Sequence, residues 1–246
     1  MASNPPGKCC AEGNFHEGTP IGTHKELFGL PTYSVGNSSS SNIIVILTDI
    51  YGNKFNNVLL IADEISKNGD YLVLIPDILK DDPVIPGADL QKWLPNHTAE
   101  ITAPIVDNFL QKVKQELKPK FLAGIGYCFG AKYAVQNLSS TGYLDSAAIA
   151  HPSFVSIEEV KAIKRPIIIS AAETDPIFTP ELRHQSEDEL AKLNGVRYQV
   201  DLFSGVAHGF AVRGDIKDPL VRYAKEKTLK DQLCFFESVQ ALKSYL

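Results

Sequence analysis

Six short apolar runs, separated by longer stretches of helical character, restrict the fold more than any other feature of this chain. They cover residues 42–47, 71–75, 121–125, 146–150, 166–171 and 196–203. Each has the length of a buried strand, and most lack the apolar–polar alternation of a strand with one wet face. Between them, residues 53–67, 98–117, 130–138, 180–193 and 219–245 carry helical patterns. Pro180 suits a first helical turn with Glu181 beside it, and Asn194-Gly195 supplies a stop. The alternation predicts βαβ units with right-handed crossovers, and so an α/β fold with a mostly parallel sheet flanked by helices on both faces. At 246 residues and 44% apolar composition, one such domain over residues 1–246 is expected. Residues 1–40 read as an irregular or β-hairpin lead-in. The serines at 38–41 read as a loop tip, and Asp81-Asp82-Pro83 as a turn.

Ligands of open α/β sheets sit at the carboxyl ends of strands, and there the segment Gly126-Tyr127-Cys128-Phe129-Gly130 leaves an apolar run and enters a helix. The spacing matches a nucleophile elbow, G-x-S-x-G, with sulfur in place of the hydroxyl. Glycines two residues either side let the strained turn approach neighbouring backbone, and the helix N-terminus favours a thiolate. Elbow enzymes carry acid and histidine later in the chain, in that order. Asp175 follows the run at 166–171, and His208 lies in a glycine-flanked loop after the run at 196–203. Both fall on the same sheet edge as Cys128, so Cys128, Asp175 and His208 are the expected catalytic residues.

Charge and cysteine usage narrow the partners. A net charge of −5 gives no basic stripe for a phosphate backbone, so nucleic acid is not expected. No stretch approaches the ~20 apolar residues of a membrane span, and the polar N-terminus has no signal-like apolar core. A cytoplasmic protein with reduced thiols at Cys9, Cys10, Cys128 and Cys234 is expected. Adjacent Cys9 and Cys10, with His16 beyond, lack a C-x₂-C chelating span, so no metal is expected.

The elbow, the Asp175 turn with Pro180 after it, and Ala207-His208-Gly209-Phe210 together resemble the dienelactone hydrolase family of the α/β-hydrolase superfamily. Asp49-Ile50-Tyr51-Gly52, Pro76-Asp77 and the lead-in from Cys9-Cys10 through His16, Gly18 and Gly22 extend the likeness to fungal and other eukaryotic members, over residues 9–246. The resemblance implies hydrolysis of a small lactone or ester through a cysteine acyl-enzyme, with no cofactor. It implies an oxyanion hole at the backbone N–H groups of Phe129 and Ile50. Bacterial members carry a glutamate before that isoleucine, where this chain has Asp49. Their substrate carboxylate calls for cations, for which Lys80 and Arg213 are the candidates here, with Asp49, Tyr51 and His151 as further pocket residues. His151 is read chiefly as structural, and Trp93 and Phe178 as packing or rim aromatics. Two other readings use the same elbow: a thiol-based sensor or silent binding protein on a hydrolase scaffold, and a class I glutamine amidotransferase. The amidotransferase reading lacks the His-x-Glu pair, because Gly209-Phe210 follows His208.

Overall fold

The computed structural model describes residues 1–243 apart from Glu12 and Pro86. Eight strands form one sheet: β1 (Thr23–Leu27), β2 (Leu30–Gly36), β3 (Asn42–Leu47), β4 (Leu72–Pro76), β5 (Phe121–Tyr127), β6 (Ser146–Ala150), β7 (Ile167–Thr174) and β8 (Tyr198–Ala207). Their spatial order is β1-β2-β4-β3-β5-β6-β7-β8. β1 and β2 form the antiparallel lead-in hairpin, and β2 runs antiparallel to β4. From β4 to β8 every pairing is parallel. This is the mostly parallel α/β sheet that the alternation of apolar runs predicts.

Among the described residues, eight α-helices connect and cover the strands: α1 (Asn56–Lys67), α2 (Leu90–Trp93), α3 (Ala99–Lys112), α4 (Phe129–Gln136), α5 (Ile157–Lys161), α6 (Pro180–Leu190), α7 (Phe210–Arg213) and α8 (Pro219–Lys243). The two faces can be read along β3. Ile43, Val45 and Leu47 pack with Val106, Phe109 and Leu110 of α3 and Ala134 of α4, whereas Ile44 and Ile46 pack with Val58, Ile61 and Ile65 of α1 and Phe236 of α8. Successive strand residues point to opposite faces, so a continuous apolar run is what a sheet with helices on both sides requires.

Several element bounds differ from the sequence pattern for local reasons. The helical pattern at 98–117 divides into α3 and a π-turn, Val113–Leu117, which Lys118 ends in a left-handed conformation. The pattern from residue 53 starts its helix three residues later, because Asn53, in the turn after β3, donates its side-chain amide to the carbonyl of Pro31 in β2. The last residues of the 219–245 pattern fall partly outside the described residues. β8 is an edge strand with exposed Tyr198 and Leu202, and it extends past residue 203. An irregularity opposite Ala172 and Thr174 carries its pairing on to Ala207, so the loop bearing His208 begins directly where the strand ends.

Candidate active site

Cys128 sits between β5 and α4 with φ 49° and ψ −108°, a backbone conformation that an L-residue adopts only under strain. The flanking glycines make that turn possible. A Cβ on Gly130 would lie 2.1 Å from the carbonyl oxygen of Leu47, and one on Gly126 would lie 2.6 Å from Cα of Ala131. Both obstacles are backbone and cannot rotate away. Gly130→Ala is therefore expected to lower stability by about 3 kcal/mol, since it forces β3 and α4 apart. Urea unfolding checks this, and a loss below about 1 kcal/mol contradicts the close approach.

The three candidate residues, far apart in sequence, converge on the carboxyl edge of the sheet. His208 Nε2 lies 3.2 Å from Cys128 Sγ, and His208 Nδ1 lies 3.0 and 2.9 Å from the two oxygens of Asp175. Asp175 is fixed in turn by its own loop, where Oδ1 accepts the backbone N–H groups of Ile177 and Phe178 at 2.8 and 2.9 Å. All three side chains are buried. Burial opposes ionisation of the Cys128 thiol, but its hydrogen bond with Cys10 and the charge and hydrogen bond of His208 hold its pKa well below the ordinary thiol value. Burial likewise opposes charge on His208. The neighbouring Cys128 charge and the Asp175 hydrogen bond outweigh it and raise the pKa to about 10. Both shifts favour the thiolate–imidazolium form of the pair.

The turn after β3 faces this pair. Asp49 is buried, with Oδ1 accepting the N–H of Tyr51 at 3.0 Å and Oδ2 accepting Arg213 Nη1 at 2.6 Å. Both oxygens are thus engaged away from the thiol. Arg213 is 1% exposed, so its guanidinium serves this ion pair instead of a solvent-facing anion site. It also stands over the ring of Tyr51, which stacks on Phe55. Lys80 is exposed in the loop after β4, with a positive φ of 59°. Among the described residues the backbone N–H groups of Ile50 and Phe129 meet no protein acceptor, while the carbonyl of Ile50 accepts from Val84.

His151 lies beneath the site. Its ring is fully buried among His208, Phe210 and Tyr127, with centroids 5.0, 5.8 and 6.0 Å away. Burial lowers its pKa to about 4, so it packs as a neutral ring behind His208. Trp93 donates to the carbonyl of Asp82 and stacks on His97, with Phe129 against its edge. Phe178 belongs to the core.

Hydrophobic periodicity gives no hint of what covers the edge. Residues 2–11 and 13–16 lie across it as a strap. Ala2 and Ser3 donate to the carbonyl of Val155, Asn4 to that of Ile177, and Asn14 to that of Arg213, while Asn57 Nδ2 bonds the carbonyl of Asn14. The strap brings Cys10 into the site, with Sγ 3.5 Å from Cys128 Sγ and 3.4 Å from His208 Nε2. Cys10 is 0% exposed, and so is Cys128. The adjacent cysteines in a polar lead-in were the available signal, but only tertiary contact shows which of them faces inward. A groove of about 730 Å³ between α1 and α8 is lined by His16, Leu60 and Lys225 and includes none of the triad.

Comparison with known proteins identifies the family of the chain. The profile of the dienelactone hydrolase family matches residues 30–240. Hydrolase pyvD of Aspergillus violaceofuscus is 40% identical over 242 residues, covering 96% of this chain and 98% of its own. Dienlactone hydrolase 1 of Gibberella moniliformis is 33% identical, covering 94% and 92%. A solved structure from Klebsiella pneumoniae, designated a dienelactone hydrolase, superposes with a TM-score of 0.74 at 12% identity, over 89% of this chain and 99% of its own, and so shares the fold. No helix among the described residues is long and apolar enough to cross a membrane. The chain belongs to the dienelactone hydrolase family and is a hydrolase of the esterase or lactone-cleaving class.

Proposed function

We propose that this hydrolase opens a lactone or cleaves a carboxylic ester through an acyl intermediate on Cys128. The reading rests on the unbroken line from Cys128 Sγ through His208 to Asp175, at 3.2 and 2.9 Å. The thiolate attacks the carbonyl carbon. Negative charge then develops on the carbonyl oxygen, where the N–H groups of Phe129 and Ile50 and the N-terminus of α4 stabilise it. As the tetrahedral intermediate collapses, imidazolium at His208 gives its proton to the leaving alkoxide, which in a lactone stays tethered to the acyl group. Neutral His208 then takes a proton from water, and hydroxide releases the acid and restores the thiolate. Asp175, held by Ile177 and Phe178, keeps Nδ1 protonated and Nε2 facing the sulfur. Lactone is the class carried in the name of the Gibberella relative, which points to a small-molecule substrate. A reducing cytoplasm suits a thiol nucleophile.

Because the nucleophile is covered, substrate entry requires outward movement of the strap that carries Cys10. The experiment that tests the reaction is mass spectrometry of protein quenched during p-nitrophenyl ester turnover. An acyl mass on the peptide containing Cys128 is expected, and full turnover with no acylated cysteine at any quench time overturns the reading.

The ion pair also fixes the pH dependence. His208 must hold its proton to release the alcohol, so kcat/KM is expected to fall as pH rises through about 10. On the acid side, activity is lost only once the thiolate is protonated, well below the ordinary thiol range. Both limbs belong to the coupled pair and are to be read as macroscopic values. An activity that rises only above the ordinary thiol pKa, with no alkaline fall, contradicts a preformed pair.

A further inference from the structure

Cys10 adds a third soft ligand atom to the two that the proposed reaction uses. Sγ of Cys10, Sγ of Cys128 and Nε2 of His208 form a buried triangle with sides of 3.5, 3.2 and 3.4 Å. A tetrahedral zinc ion, bonded at about 2.3 Å to sulfur and about 2.05 Å to nitrogen, holds its ligands about 3.8 Å apart for two sulfurs and about 3.6 Å for sulfur and nitrogen. The triangle matches one face of that tetrahedron to within a few tenths of an ångström. The carboxylate of Asp175 on Nδ1 is the partner that orients and strengthens a metal-bound imidazole. Two thiolates, a neutral imidazole and a dication sum to zero charge, which a buried site tolerates.

We propose that the closed site is an inhibitory binding site for a thiophilic divalent ion of the zinc type, held by Cys10, Cys128 and His208 with water at the fourth corner. The inference rests on the proposed triad for its inhibitory consequence but not for the binding itself. Local spacing argues against a metal at Cys9-Cys10, and that argument holds for the adjacent pair alone, because the fold assembles this set from three distant segments. On binding, the ion accepts lone pairs from both sulfurs and from Nε2. The proton of the Cys10 thiol and that of the His208 imidazolium leave to water, with no change of oxidation state. Affinity therefore rises with pH. The bound ion engages the nucleophile and the base together, so ester cleavage stops, and a chelator restores it.

The test uses protein reduced with a non-thiol phosphine, stripped with chelator and titrated with Co²⁺, followed by competition with Zn²⁺. One equivalent is expected to produce a thiolate-to-cobalt charge-transfer band, with parallel loss of p-nitrophenyl esterase activity. Cys10→Ser is expected to weaken Zn²⁺ binding by about 100-fold or more and to diminish the band. Cys128→Ser should diminish the band too, whereas Cys234→Ser, at an exposed position of α8, should leave it unchanged. Absence of the band in the wild-type protein, or wild-type affinity in Cys10→Ser, overturns the site; full activity at saturation overturns the inhibition. If Cys10→Ser unfolds, as circular dichroism would show, the wild-type titration and Cys128→Ser decide. A protein that forms the band yet hydrolyses no ester when metal-free refutes the proposed reaction and leaves the site standing.

Discussion

His208→Ala lowers kcat/KM for a p-nitrophenyl ester by about 10⁴-fold or more, the loss expected when one member of a cooperating nucleophile–base–acid unit is removed. Two effects combine. The substitution removes the proton donor for the leaving group, and it removes the cation that holds the Cys128 thiol ionised inside a buried site. Cys128→Ser is expected to fall as far, because a hydroxyl beside the same imidazole is much harder to ionise. The double variant should be little worse than either single one, since each alone already disables the unit. Stability carries a second signature. The folded pKa of His208 is about 10, above its ordinary 6.5, so the protonated ring stabilises the fold fully below about pH 6.5 and that contribution is lost as pH rises through about 10. His208→Ala should therefore be most destabilised relative to wild type in mild acid and least at strongly alkaline pH. Steady-state kinetics with urea unfolding at several pH values checks both. A fall in kcat/KM of under about tenfold removes His208 from the proton-transfer role.

Much of this site is legible in the chain because its pieces are local motifs at strand ends. The elbow is set by Gly126 and Gly130, whose missing side chains the backbone of Ala131 and Leu47 requires. Asp175 and His208 each follow an apolar run, and parallel strands deliver the ends of successive runs to one edge. What stays hidden depends on long-range contact. Arg213 reads as a free cation near the histidine, yet α7 turns it inward onto Asp49, 164 residues away in sequence. The short helices α2, α5 and α7 are too brief for a 3.6-residue period to register; α5 is marked instead by a capping box at Ser156 and Glu159. The strap has no periodic signal at all, because backbone hydrogen bonds to Val155, Ile177 and Arg213 hold it in place of an amphipathic face.

The pair between Arg213 and Asp49 links these parts, and removing one partner has the largest expected effect on stability. Arg213 is enclosed on both sides by glycine backbone: a Cβ on Gly13 of the strap would lie 2.7 Å from its Cβ, and one on Gly209, next to His208, would lie 2.8 Å from its Cζ. Arg213→Ala thus leaves the Asp49 carboxylate without its counter-ion in a site that water barely reaches. It also opens space between the strap and the histidine loop. A loss of about 3–5 kcal/mol is expected, the range for a buried charge stripped of its partner. Asp49→Ala should cost a similar amount. The double variant Asp49→Ala/Arg213→Leu should be more stable than Arg213→Ala, because the penalty comes from the unpaired charge and not from the absent bond. Activity should fall with the single variants as well, since the turn that Asp49 shapes through the N–H of Tyr51 also carries the Ile50 N–H assigned to the oxyanion. Urea midpoints at constant m-value measure the stability terms. Single variants that each cost under about 1 kcal/mol, or costs that simply add in the double, show that the pair is solvated and fixes neither the turn nor the strap.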